Sequence, residues 1–472
     1  MKTQRSSTGM KTQRSISRLL SGCRVWIFAI SLSIPLSAHG QSDDVISLPS
    51  FHGGEAASCM SFTQAQKLSV ARDPAIGEVE AQKQDARAGV KLAKSDWLPQ
   101  ISTYARTATG STGLVDGRTD NQIGVLATQR IFDFGHGKYG KQAAQERLKS
   151  AEYHVDRAVG DSLFETSRAF LTVLEAQERL QAARMREAHF ADIVKTLPRR
   201  LDVNLITAAQ ASSIEGDYAL AQSNRIEEDL NLANVKSNLY ILTGEYDLPC
   251  TDTKDVLALL DNSLPKTMTN AISEARRLNP EVEALQADVR AAEAEYQIEK
   301  RRKLPIVEVQ GAVAYILEPS TDASLFAPAQ DGGFERSERI GLDVSVPLWS
   351  GGRFNAGRSS SQARKFGMEM TLERVKRDLE SRVSLAWHRI ASGDYLIQSR
   401  RKVRNSLEDE SRAINREFEN GLRPYQDVEE IEAELQSAIL QEINAKYEVY
   451  YQRILLLSLT NRLQLTTGER LP

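Results

Sequence analysis

Hydrophobic and polar residues alternate with a period of two in only a few short stretches of this chain, and those stretches are flanked by very long segments of helical periodicity. In the clearest alternating run, Ile340, Leu342, Val344, Val346 and Leu348 interleave with Gly341, Asp343, Ser345 and Pro347, giving one apolar and one polar face. Val307, Val309, Val313, Tyr315 and Leu317 repeat the pattern less cleanly, as do Ile123, Val125, Ala127 and Ile131. With residues 100–109 this predicts four strands, at about 100–109, 121–134, 306–317 and 338–349. Between them, Leu148, Val155, Leu163, Phe170, Leu174, Met185 and Ile193 recur at three- to four-residue steps, and so do Leu372, Val375, Leu379, Val383, Trp387 and Ile390. Helices over 141–196 and 353–418 would reach about 84 and 99 Å at the α-helical rise, far beyond a globular helix.

The order of elements repeats. Asp73-Pro74 opens a helical stretch ending at Leu98-Pro99, and Asn279-Pro280 opens another ending at Leu304-Pro305. After each come two alternating segments, a Gly turn (Gly135 and Gly137; Gly351 and Gly352), a long helix, a turn and a last helix. The expected organisation is a leader over 1–40, a first repeat over 41–270 whose equatorial linker is near 245–270, and a second repeat over 271–472.

The leader reading rests on Lys2, Arg5, Lys11, Arg14, Arg18 and Arg24 ahead of the apolar run Val25 to Ile34, with Ala38 and Gly40 placed for cleavage before Gln41. The whole chain of 472 residues has 60 Lys and Arg against 63 Asp and Glu; removing the leader widens the acidic excess to nine. Such a balance disfavours nucleic-acid binding. No later segment is apolar enough for a transmembrane helix, so membrane contact would be through strands or peripheral. Strands of about ten residues with one greasy face suit a membrane barrel, with polar loops 110–120 and 318–337 at its outer end. Four strands cannot close one, because an open edge in lipid leaves backbone groups unpaired, so several chains must pool strands.

Enzymatic chemistry finds little support. Gly135-His136-Gly137-Lys138-Tyr139-Gly140 is literally G-x-G-x-x-G, but the next sixty residues are helical and supply no second parallel strand for a dinucleotide site. His52, His136, His154, His189 and His388 have no ligand spacing. Neither cofactor nor metal is expected.

The doubled Pro-bounded helix, the strand-end turns Phe132-Asp133-Phe134-Gly135 and Leu348-Trp349-Ser350-Gly351-Gly352, the segment Asn420 to Val428 and Leu242-Thr243-Gly244 together resemble the TolC-like outer membrane efflux proteins. The resemblance implies a mainly α fold with a small membrane β-barrel: a homotrimer pooling four strands per chain into twelve, above a helical tunnel in the periplasm. It implies an outer-membrane exit duct working with a periplasmic adaptor and an inner-membrane ABC or RND pump, and no enzyme. Arg382 to Trp387 looks more like the type I protein-secretion branch than the drug-efflux branch. Small-molecule efflux is the alternative, and a secreted helical scaffold without a pore is the rival from another class.

By the same resemblance Arg423, Asp427 and Glu430, with Thr207, form a periplasmic gate in which Arg423 tethers neighbouring helices. Gly421 and Leu422 form an adaptor-contacting tip, and at the first tip the usual Gly falls on Asp202 and the usual acid on Ala208. Ile340, Leu342, Val344 and Val346 are expected to face lipid. Cys59 and Cys250, which the resemblance brings together around the tunnel's equator, are a candidate disulfide, with two separate buried thiols as the alternative.

Overall fold

The computed structural model describes residues 59–110, 118–250, 260, 263–317 and 334–463. The leader and the tips of both strand loops lie outside the described residues. The elements run α1 (Phe62–Arg72), α2 (Pro74–Ser95), β1 (Gln100–Gly110), β2 (Arg118–Phe132), α3 (His136–Asp202), α4 (Ala208–Thr243), α5 (Met268–Leu278), α6 (Pro280–Arg301), β3 (Ile306–Leu317), β4 (Phe334–Ser345), α7 (Arg353–Glu419) and α8 (Tyr425–Leu459). The halves match in length: 11 residues in α1 and α5, 22 in α2 and α6, 67 in α3 and α7.

Local chemistry sets the breaks. Pro disfavours helical backbone in the residue before it, so Asp73 and Asn279 are extended and serve as N-caps. Asp73 Oδ1 accepts from the Ala75 amide at 2.9 Å, and Asn279 Oδ1 from Glu281 at 3.0 Å. Where the strands feed the long helices, Gly135 and Gly352 take left-handed backbone, φ 92° and 86°. The G-x-G-x-x-G segment is spent on this turn. Asp133 is buried and accepts from the amides of Gly135 and Gly137, and a Cβ on Gly137 would meet the Trp97 indole.

The sheet order is β1-β2-β3-β4, antiparallel throughout. β3 spans the expected residues, but β2 starts at Arg118 rather than 121 and ends at Phe132, and β4 covers 334–345 rather than 338–349. Val346 therefore lies outside the strand. Pairing explains the shift: Ile306, the first residue of β3 after Pro305, pairs with Ser345, so β4 has no partner beyond it, and Pro347 has no N–H to donate.

α3 packs against α2 and α6 near the sheet and against α4 and α8 further away, while α7 packs on α6 and α8. The protomer thus has one flank of α2 and α4 and another of α7. Three apolar clusters fill the seams. One joins Met60, Phe62, Phe170 and Leu174 to Tyr447 and Ile454, one joins α5, α6 and α7 through Val282, Leu379 and Val383, and one occupies the far tip. No described helix is long and apolar enough to cross a membrane.

Candidate functional site

Strand register sorts the sheet's residues into two faces, because directly paired residues point the same way. Ile340, Leu342 and Val344 pair with Gly311, Val309 and Val307, and the same face continues through Val313 and Tyr315 to Val125 and Ile123 and then Ile101. Among the described residues this face is left open at β4: Ile340 is 88% and Leu342 65% exposed. The other face is concave and polar, surrounding about 630 Å³ lined by Ser102, Tyr104, Arg106, Gln122, Gln310 and Asp343. On that face Arg130 pairs with Glu308 at 3.5 Å.

At the opposite end the two hairpins close in the same way. In the second, Gly421 has φ 72°, its amide donates to the Phe418 carbonyl, and the Leu422 amide donates to Glu417. In the first, Asn204 takes φ 54°, with matching bonds from Asn204 to Leu201 and from Leu205 to Arg200. The position equivalent to Gly421 is thus Asn204 and not Asp202, which is the last residue of α3. Counting on from the N-caps Thr207 and Pro424, the position matching Asp427 is Gln210, and Ala208 is the first residue of α4.

Of the four residues expected at the gate, the structure brings two into contact. Arg423 Nη1 donates to Asp427 Oδ2 at 2.9 Å and Nε to Glu417 Oε2 at 2.8 Å, both on its own hairpin. Those bonds, Asp427's first, raise the guanidinium pKa further above its ordinary value. Glu430 is exposed, three residues along from Asp427. Thr207 is occupied in a capping box with Gln210. Leu422 is exposed, and a Cβ on Gly421 would press on Leu205 of the first hairpin.

Sequence reasoning missed the contacts that bind one hairpin to the other. Tyr425, buried, donates its hydroxyl to Asp217 Oδ2 at 2.7 Å. Arg200, also buried, donates Nη1 to the Phe418 carbonyl at 3.0 Å and lays its guanidinium 4.3 Å from the Phe418 ring centroid. Burial pushes the Tyr425 phenol well above its usual pKa, with Asp217 adding to the effect, and lowers that of Arg200. Phe418 and Tyr425 advertise themselves as apolar positions on a helix, but their partners lie more than two hundred residues away.

Further up, Cys59 and Cys250 are joined by a disulfide beside a short parallel bridge, in which Met60 and Cys250 exchange backbone bonds with the facing segment. Among the described residues no group of three or more His, Cys, Asp or Glu is placed to hold a metal ion.

This geometry has counterparts. The family model described as "Outer membrane efflux protein" matches residues 66–245 and 271–462. The chain belongs to the outer membrane efflux protein family. Outer membrane efflux protein BepC of Brucella suis biovar 1 is 23% identical over 390 residues, 80% of this chain and 82% of its own. Proteases secretion protein PrtF of Dickeya chrysanthemi is 21% identical over 411 residues, 84% and 86% of the two chains. Among solved structures, CusC superposes with a TM-score of 0.74 at 16% identity, covering 87% of this chain and 95% of that one. As in the family, the protein belongs to the outer membrane, with its helical body in the periplasm. The hairpin tips are therefore its periplasmic end.

Proposed function

We propose that three copies of this outer membrane efflux protein form a passive exit duct, taking substrate from an inner-membrane pump and periplasmic adaptor, and that its branch is type I protein secretion. One observation carries the duct: a four-stranded sheet with an apolar face, a polar face and two edges unpaired among the described residues, fused to helices 67 residues long. A sheet with open edges is stable in lipid only when further copies complete it, and three copies give the twelve strands of a closed barrel. Apolar side chains exposed on α4 (Leu220, Ile226, Ile241) and on α7 (Phe366, Leu385, Val403) supply two different flanks for a head-to-tail ring. PrtF's name speaks for secretion of proteases and BepC's for efflux; the Arg382 to Trp387 segment favours the former.

In this reading Leu422 and Gly421, with Asn204 opposite, present the tip to the adaptor. Asp427 and Glu430, repeated by symmetry, line the mouth with carboxylates that favour cations, and Arg423 offsets part of that charge. Purified protein in planar bilayers tests this. Asp427→Ala with Glu430→Ala should lower cation preference and block by divalent cations, whereas Arg423→Ser should raise cation preference. Unchanged selectivity in all of them would reduce the cluster to a surface ion-pair run.

A further inference from the structure

On the polar face of the sheet the register lines up residues of neighbouring strands in rows. Near the foot of the sheet Asp343, Glu308 and Arg130 share one row, and further out Glu335, Ile316, Gln122 and Arg106 share another. The rows between these two contain no acid, and the middle one carries Arg339 beside Ala312, Leu126 and Ser102. Charge on this face is therefore sorted along the sheet: the acids Asp343 and Glu308 lie at the foot, where Glu308 is taken up by Arg130, and arginine stands alone above them.

Arg339 and Arg106 stand on the two edge strands, β4 and β1, which are three strand spacings or about 14 Å apart. Both nevertheless line the concavity of about 630 Å³, where Asp343 is the one acid among the described residues. Neither arginine has an ion pair among the described residues. Tyr104, in the row between those of the two arginines, lies across Gly124: a Cβ on that glycine would come within 3.0 Å of the Tyr104 Cζ and Oη. The glycine lets the ring lie close to the sheet and keeps its hydroxyl at the wall of the same concavity.

We propose that Arg339, Tyr104 and Arg106 make an oxyanion-binding ring inside the barrel, for phosphate or carboxylate groups carrying several charges. The ring rests on the duct reading above. Closing the barrel joins β4 of one copy to β1 of the next, so each of three seams is flanked by an Arg339 and an Arg106, and six guanidinium groups face one lumen. A guanidinium grips an oxyanion through paired N–H donors, the phenol adds an O–H, and rings of such side chains select anions. The outer end of the duct then carries the opposite sign to the carboxylates at the periplasmic mouth.

Single-channel recording of the full-length protein in planar bilayers tests it, with inorganic tripolyphosphate as the probe. Added on the barrel side, tripolyphosphate should block the wild-type current reversibly. Arg106→Gln and Arg339→Gln should each raise the half-blocking concentration about tenfold, the factor that losing one charge-assisted hydrogen bond sets. Arg339→Lys keeps the charge but not the planar fork, so it should retain part of the block, which separates binding from any role in folding. Tyr104→Phe should weaken the block by less than either glutamine. The two glutamines combined should also move the reversal potential toward greater cation preference. Arg225→Gln, which breaks a bond to Glu187 in the first hairpin, should be blocked as wild type is. Equal block in wild type and both glutamine variants, or a conducting wild type that tripolyphosphate never blocks, would overturn the ring while leaving the duct. A wild-type protein that forms no pore would end the duct reading, and the ring with it.

Discussion

Leu342 and Gln310 lie on adjacent strands, yet they face different solvents, because β3 and β4 side chains alternate and the register sets Leu342 opposite Val309 and Gln310 opposite Gly341. In a barrel an arginine at Leu342 would meet hydrocarbon, whereas at Gln310 it would join Arg106 and Asp343 on the polar side. Leu342→Arg should cost about 2–4 kcal/mol per chain near the bilayer midplane and reduce the outer-membrane fraction, with Gln310→Arg tolerated. Equal membrane yields for the two would refute the facing assignment. The alternation that supports this was legible from the residues themselves. The end of β4 was not, since it depends on which residue β3 still offers as a partner. The first tip misled for a related reason. Left-handed backbone is required where the closing bonds from Asn204 and Leu205 fall, and an asparagine meets that demand almost as a glycine does.

At the scale of elements, proline punctuation made the paired α2 and α6 readable from the chain, because a Pro and its N-cap act over three residues. Contacts between elements left no such mark. Arg200 reads as one more basic residue near a helix end, and only the folded arrangement seats it on Phe418. The tie between the start of α1 and the segment after α4 is intermediate: cysteine counting allowed one bond or two thiols, and the structure joins Cys59 to Cys250 across 191 residues. In the chain-entropy account a loop that long contributes at most about 5 kcal/mol. Denatured, unreduced mature protein should show no free thiol, and Cys59→Ser with Cys250→Ser should lower the melting temperature. Two titratable thiols in the wild type would refute the bond in the exported protein.

For the whole molecule, the two flanks are unlike: α4 offers Leu220, Ile226 and Ile241, and α7 offers Phe366, Leu385 and Val403. A ring built from unlike flanks gives each chain a donor side and an acceptor side, and every interface uses one of each. The consequence is genetic. A chain damaged only on its α7 flank still presents a sound α4 flank, so it is admitted to assemblies that it cannot close. Co-produced with wild type, Phe366→Glu with Leu385→Glu should depress export by more than its share of the pool, whereas a chain damaged on both flanks should be silent. Mixing an α4-flank variant with an α7-flank variant should yield pairs joined by one intact interface and no sealed ring, readable as dimers by native mass spectrometry. The asymmetry of one protomer's surface would then decide which mutations are dominant and which are recessive.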